Sequence, residues 1–209
     1  MEKITDQLKT GRQIQAEQTR HTILETAKRL IGEKGFDGVT ITQIAREAGV
    51  SKGLFYHYFR SKDDIIIEGY SECDEYFERE IRDRLQGETA WERILEFLDH
   101  QMAYAESVGI DLITQTYKSQ IQYGTDFFTS RERSLPKILR SVVGRGQASG
   151  DLTAEPDADY ITGYLLRFSR GLIYDWCLHR GEFNLRSTAA EALSRLEPLF
   201  NRHSRTAGN

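Results

Sequence analysis

The residue types best suited to contact chemistry are concentrated in one stretch, SKGLFYHYFRSK, residues 51–62. In a helix, Phe55 and Phe59 stand four apart and share a face, which their burial preference assigns to a core. Gly53 and His57 lie roughly opposite, flanked by Leu54 and Tyr56. Lys52, at the N-terminal end, can reach a phosphate or the edge of a guanine. Glycine at 53 leaves room for the backbone to approach a groove. Tyr58 and Lys62 are spaced for phosphate, Lys62 beside the amides of a new helix start. Tyr56, His57 and Tyr58 point in three directions, so one core cannot take them all. The chemistry predicted is contact with a polyanion that displays readable edges. His57 as a metal ligand or general base has no partner at a suitable spacing.

Catalytic chemistry has no comparable pattern. GxxxxGK[ST] and HExxH are absent, and the one GxSxG spacing, Gly49 to Gly53, falls in the glycine turn ahead of the contact stretch rather than after a strand, so no nucleophile elbow, phosphate loop or zinc helix is predicted. Cys73 and Cys177 form no CxxC pair, and His21, His57, His100, His179 and His203 show no HxH or HxxxH spacing. Glu72, Asp74, Glu75 and Glu78 crowd one predicted helix and read as a solvated face. Neither an enzyme nor a cofactor or metal is expected.

The elements that must position residues 51–62 are short helices. Thr40-Ile41-Thr42-Gln43 is a capping box, with Thr40 as N-cap and Gln43 reaching back. The helix after it carries Ile44, Ala45 and Ala48 and stops at Gly49. Ser51 caps the next, from Lys52 to about Phe59. Ser61 with Asp64 makes another box and starts a helix running to about Leu85. Two short helices joined around a glycine form a helix-turn-helix, whose second helix lies in the major groove while the first braces across the backbone. Upstream, Ile23, Ala27, Leu30 and Ile31 make an apolar stripe from about Glu17 to Lys34, closed by Gly35. Residues 1–16 show no clear periodicity and read as a flexible arm in which the first helix can already start, with Lys3, Lys9 and Arg12 as its basic groups.

The stretch TILETAKRLIGEKGFDGVTITQIAREAGVSKGLFYHYFRSKDDI resembles the N-terminal domain of TetR-type regulators over about 45 residues without a gap. The resemblance implies that Thr42 touches phosphate or base at the start of the second helix. It implies that Lys52, Gly53 and Leu54 lead the recognition helix, that Tyr56 and His57 meet bases or backbone, and that Tyr58 and Lys62 meet phosphate. Arg46 faces outward and joins this set. Leu54 stands where a polar residue would read a base, and is limited to apolar contact such as a thymine methyl. The domains expected are the arm 1–16, a helix-turn-helix head 17–65 and a body 66–209.

The body is read as further helices: Ala90–Ser107, Ile110–Tyr123, Arg131–Ala148, Pro156–His179 and Arg186–Arg202. Pro156 is placed in a first helical turn, and Pro198 is expected to kink or end the last helix. With no alternating strand pattern, the fold class is all-α, about nine helices in total. The family implies a ligand pocket and a dimer built by the last two helices. Tyr160, Tyr164, Phe168 and Leu172, with Ile161, Leu165, Ile173 and Trp176, are too many for one narrow stripe, so that helix must be covered on more than one side. Leu193 and Leu196 complete the expected interface. The alternative is a central helix buried within one subunit. Pocket candidates are Tyr104, Gln115, Phe127, Phe128, Arg167 and Tyr174, aromatic walls with a few polar groups. Arg167, a charge in an apolar helix, needs an acidic partner, either a ligand or a carboxylate of the body.

Composition agrees with this division. The 209 residues are 39% hydrophobic and 29% charged, with three prolines. Residues 1–65 carry +2 and the remainder −6, which gives the net −4 of the chain. A weakly basic head on an acidic body suits local contact with phosphate. No apolar run approaches the roughly 20 residues of a membrane span, and the N-terminus lacks the apolar stretch of a secretory signal, so a cytoplasmic location is expected. The expected function is that of a homodimeric repressor on a palindromic DNA operator, released by a small-molecule effector. The alternative is an effector-independent, architectural DNA binder of the same family.

Overall fold

A computed structural model of the chain describes residues 10–123 and 128–201. The fold is all-α. Among the described residues the one feature of extended pairing is an isolated bridge between Leu152 and Asn201. The chain divides into two compact units between Ile66 and Ile67.

The first unit begins with α1 (Gly11–Lys34), α2 (Ile41–Glu47) and α3 (Lys52–Tyr58). Helix α1 starts two turns earlier than its apolar stripe predicts. Thr10 caps it, accepting from the Gln13 amide at 3.4 Å while the Gln13 side chain accepts from the Thr10 amide at 2.8 Å. This is the same T-x-x-Q box that opens α2, where the corresponding distances are 3.2 and 2.8 Å. Arg12 therefore stands in a helix; Lys3 and Lys9 lie outside the described residues. Ile23, Leu24, Ala27, Leu30 and Ile31 of α1 are buried, together with Ile44, Ala45, Phe55 and Phe59. Gly49, between α2 and α3, has φ +68°, a conformation that glycine adopts without strain.

Helix α4 (Lys62–Tyr76) begins in the first unit. Its start is only half the box expected. Ser61 Oγ accepts from the Asp64 amide at 3.2 Å, but the Asp64 carboxylate bonds the Arg60 amide, at 2.6 Å. After Tyr76 the backbone widens into a π-helical segment, Phe77–Ile81, closed by the Arg82 amide donating to the Phe77 carbonyl at 3.0 Å.

The second unit holds α5 (Ala90–Val108), α6 (Ile110–Tyr123), α7 (Ser134–Ser149), α8 (Ala158–Leu178), α9 (Leu185–Ser194) and α10 (Glu197–Phe200). Helix α5 packs on α7 and α9, and α7 on α8. Ile94, Phe97, Leu98 and Met102 of α5 are wholly buried, as are Leu139, Val143, Ile161 and Leu165 opposite. Each such side chain contributes about 1.5–3 kcal/mol of transfer free energy. Gly146 of α7 marks the closest approach, since a Cβ there would stand 2.4 Å from that of Ala90.

Three boundaries differ from expectation. Helix α8 is capped by Asp157, whose carboxylate accepts from the Tyr160 amide at 2.8 Å, so Pro156 precedes the helix rather than sitting in its first turn. Helix α7 begins at Ser134 rather than Arg131. The single last helix is two, α9 and α10, with Pro198 in the first turn of α10, where its missing N–H costs nothing. Asp74 also departs from the predicted solvated face. It turns inward, accepts from Arg133 Nε at 2.7 Å and Nη2 at 3.1 Å, and accepts from the Leu135 amide at 3.2 Å. A residue of α4 thus caps α7, which lacks a side-chain cap of its own. No helix among the described residues is long and apolar enough to cross a membrane.

Candidate functional site

Helix α3 is fixed from below and open above. Ser51 Oγ accepts from the Leu54 amide at 3.1 Å, which sets the N-terminus. Phe55 and Phe59 are 0% and 1% exposed, with ring centroids 5.8 Å apart. Two buried rings on one face hold a seven-residue helix whose own propensity would not keep it folded. The opposite side presents Lys52, Gly53, Leu54, Tyr56 and His57, all exposed. Lys52 Nζ lies 5.9 Å from the Tyr56 ring, and the His57 ring meets Tyr58 edge-on at 5.0 Å. Tyr58 is half-buried; Thr42 and Arg46 on α2 are exposed. Among the described residues Arg46 has only the neighbouring Glu47 for an ion pair, at 3.5 Å.

Gly53 separates folding from surface requirements. It has no positive φ, and a Cβ there would meet only Ser51 Oγ, at 3.8 Å. The head does not need glycine at 53; a surface lying close to the backbone would.

Lys62 departs from the expected geometry. Its ammonium turns inward and donates to the carbonyl oxygens of Phe36 and Val39 at 2.6 and 2.7 Å, 4.2 Å from the Phe36 ring centroid. Two of its three N–H bonds pin the α1–α2 turn rather than facing outward.

Five of the six pocket candidates of the body lie among the described residues. Phe127 lies outside the described residues. Tyr104 is half-buried against Tyr76, ring centroids 5.3 Å apart, and burial raises its phenol above the usual range. Its hydroxyl donates to the Gly69 carbonyl at 3.4 Å. Cys73 of α4 shares the effect, its thiol pushed up to about 12 by burial. Gln115 is half-buried. Tyr174 is 44% exposed and rests against Tyr117. Phe128 and Arg167 line one open cleft of about 230 Å³, which Tyr104, Gln115 and Tyr174 do not line.

Arg167 is exposed rather than held inside an apolar helix. The half-buried arginine of α8 is Arg170, absent from the expected set. It donates from Nη1 to the Phe128 carbonyl, and burial holds it below the ordinary arginine range. Its i, i+3 spacing from Arg167 was the available signal. Among the described residues, buried polar atoms without a hydrogen-bond partner are Gln101 Oε1, both Gln120 amide atoms, Thr162 Oγ1 and Trp91 Nε1. Among the described residues no three His, Cys, Asp or Glu side chains are grouped to hold a metal.

Of the interface candidates, Tyr160 is 57% exposed, and Tyr164, Phe168, Leu172 and Leu196 are half-buried. Leu193 is 2% exposed within a single chain, because α9 turns it toward α5, and it has almost no surface left for a partner.

Residues 23–68 match the family model of bacterial regulatory proteins of the tetR family. The chain is 44% identical over 73 residues to the HTH-type transcriptional regulator HbdR of Aromatoleum sp. (strain CIB); the match covers 35% of this chain and 32% of that protein, about a third of its length. In fold it is similar to a TetR-family transcriptional regulator from Pectobacterium atrosepticum, with a TM-score of 0.72 and 17% identity over 93% of this chain and 98% of the other. It is also similar to Thermus thermophilus FadR, a TetR-family repressor solved with lauroyl-CoA, with a TM-score of 0.68 and 20% identity over 85% and 92% of the two chains. The sequence match falls on the helices that present the exposed face of α3, and the structural likeness extends through the body. Residues 23–68 thus carry the N-terminal pattern of the tetR family of bacterial regulatory proteins, and beyond them the likeness is one of fold.

Proposed function

We propose that this protein is a homodimeric repressor that binds a palindromic DNA operator through α3 and leaves it when a small-molecule effector occupies the body. The observation that carries the DNA reading is the outer face of α3. Lys52, Gly53, Leu54, Tyr56 and His57 are exposed together on a helix anchored by Phe55 and Phe59. The glycine has no folding reason to be there. A helix so mounted can enter a major groove, where base pairs differ in their donor and acceptor patterns. Thr42, Arg46 and Tyr58 flank it for backbone contacts, and the two heads of a dimer would read half-sites about 34–36 Å apart.

The effector reading is supported by the buried, unpartnered amide and hydroxyl groups of Gln101, Gln120 and Thr162, which cost free energy unless something bonds them. It is also supported by the solved FadR of similar fold, a repressor in complex with lauroyl-CoA. If effector and operator prefer different states, each weakens the other by the same factor.

The test is selection of binding sites by the full-length protein from random duplexes. A palindromic sequence is expected, and His57→Ala is expected to select a different one. Recovery of no sequence by the wild-type protein would remove the reading, and an unaltered profile for His57→Ala would take that residue out of base readout.

A further inference from the structure

The body is acidic, at −6. Yet the cleft between α7, α8 and the segment before α7 gathers Arg131, Arg140, Arg167 and Arg170 against one carboxylate, Asp159. Arg140 is satisfied, since its Nε and Nη2 meet the two Asp159 oxygens at 2.7 and 3.3 Å. Arg131 and Arg167 make no ion pair among the described residues, and Arg170 donates to a backbone carbonyl rather than to a carboxylate. Like charges crowd here. Besides burial, the nearness of Arg167 and Arg133 acts against the charge of Arg170.

A second observation points the same way. Thr162 lines the cleft, is 6% exposed, and its hydroxyl has no hydrogen-bond partner. Gly163, one residue on, leaves room for the Arg167 guanidinium; a Cβ there would lie 3.2 Å from its Nη1. A fold gains nothing from bringing unpaired arginines together around an orphaned hydroxyl in a concave site. An anion with several oxygens resolves both, because guanidinium pairs oxyanions bidentately and a threonine hydroxyl can donate to a third oxygen.

We propose that this cleft is a binding site for a small molecule bearing at least two phosphate charges, held by Arg131, Arg167 and Arg170, with Thr162 as a neutral donor and Arg140 held in place by Asp159. The site stands on its own geometry and goes beyond the effector reading above. Its volume of about 230 Å³ admits a diphosphate group.

The test is calorimetric titration of the full-length protein with pyrophosphate, with citrate in parallel. Saturable pyrophosphate binding is expected, weakened at least tenfold in Arg131→Gln/Arg167→Gln. That double variant breaks no ion pair and is expected to melt with the wild type. Arg167→Lys is expected to fall between the two, since a lysine cannot pair bidentately. No binding by the wild type at millimolar pyrophosphate would overturn the proposal. So would equal binding by the double variant, and equal affinity for citrate would overturn the phosphate assignment. If pyrophosphate binds as expected but leaves affinity for the selected duplex unchanged, the cleft stands and its ligand is not the effector.

Discussion

Residues 53 and 62 show how side chains of the head divide between folding and recognition. Gly53 has free space around it and an ordinary backbone, so alanine there is accommodated and slightly favours the helix. Gly53→Ala is expected to change stability by less than about 1 kcal/mol while weakening DNA binding about tenfold, or roughly 1.4 kcal/mol. Chemical denaturation and a binding titration on the selected duplex measure the two effects separately, and unchanged affinity would deny close backbone approach. Lys62 is the converse. Its inward hydrogen bonds to Phe36 and Val39 hold a turn, and a hydrogen bond to a charged group is worth about 1.5–3 kcal/mol. Lys62→Met keeps the stem and loses the ammonium, so a stability loss of about 2 kcal/mol is expected with the salt dependence of DNA binding unchanged. A slope reduced by about 1 would return Lys62 to the phosphate contacts.

At the scale of elements, the Asp74–Arg133 pair joins the end of α4 to the start of α7. The two side chains are 17% and 14% exposed, and Asp74 also receives the Leu135 amide. Removing one partner of such a pair strands the other charge, at a cost of about 3–5 kcal/mol. Asp74→Ala is expected to lower stability by that amount in urea denaturation, and Asp74→Asn by less, since its amide oxygen still caps Leu135. A loss below about 1 kcal/mol for alanine would show the pair to be structurally idle. This pair also marks where local signals stop. Capping boxes and glycine stops are written within four residues, so α2, α3 and α6 are legible from the chain. The early start of α1 was equally legible, because Thr10-x-x-Gln13 repeats the Thr40-x-x-Gln43 pattern. Asp74 and Arg133, by contrast, are 59 residues apart, and nothing local to Asp74 separates it from the acidic neighbours that remain at the surface. The same limit hid the cleft. Arg131 and Arg140 come from outside α8, and only packing brings them beside Arg167 and Arg170.

At the scale of the whole molecule, the question is what covers the outer side of α8. Ile161, Leu165, Ile173 and Trp176 are buried in the body, which satisfies one side of the helix. Tyr160, Tyr174 and Leu178 remain 57%, 44% and 62% exposed. With Tyr164 and Gly171 they form a stripe along one side of the helix. A single chain leaves that stripe in water, and a second copy would cover it with the same surface, the self-complementary arrangement of a two-fold dimer. Leu193 plays no part in this because it belongs to the core of its own chain. Light scattering of the full-length protein at micromolar concentration is therefore expected to give twice the chain mass of 24.1 kDa. Leu178→Asp, which places a charge on the stripe without touching the buried side, is expected to give monomer and to weaken operator binding by at least tenfold. Two linked heads share one encounter with a palindrome, whereas separate heads must each bind unaided. A wild-type monomer at that concentration would overturn the dimer. A Leu178→Asp protein that stayed dimeric would place the interface away from this end of α8.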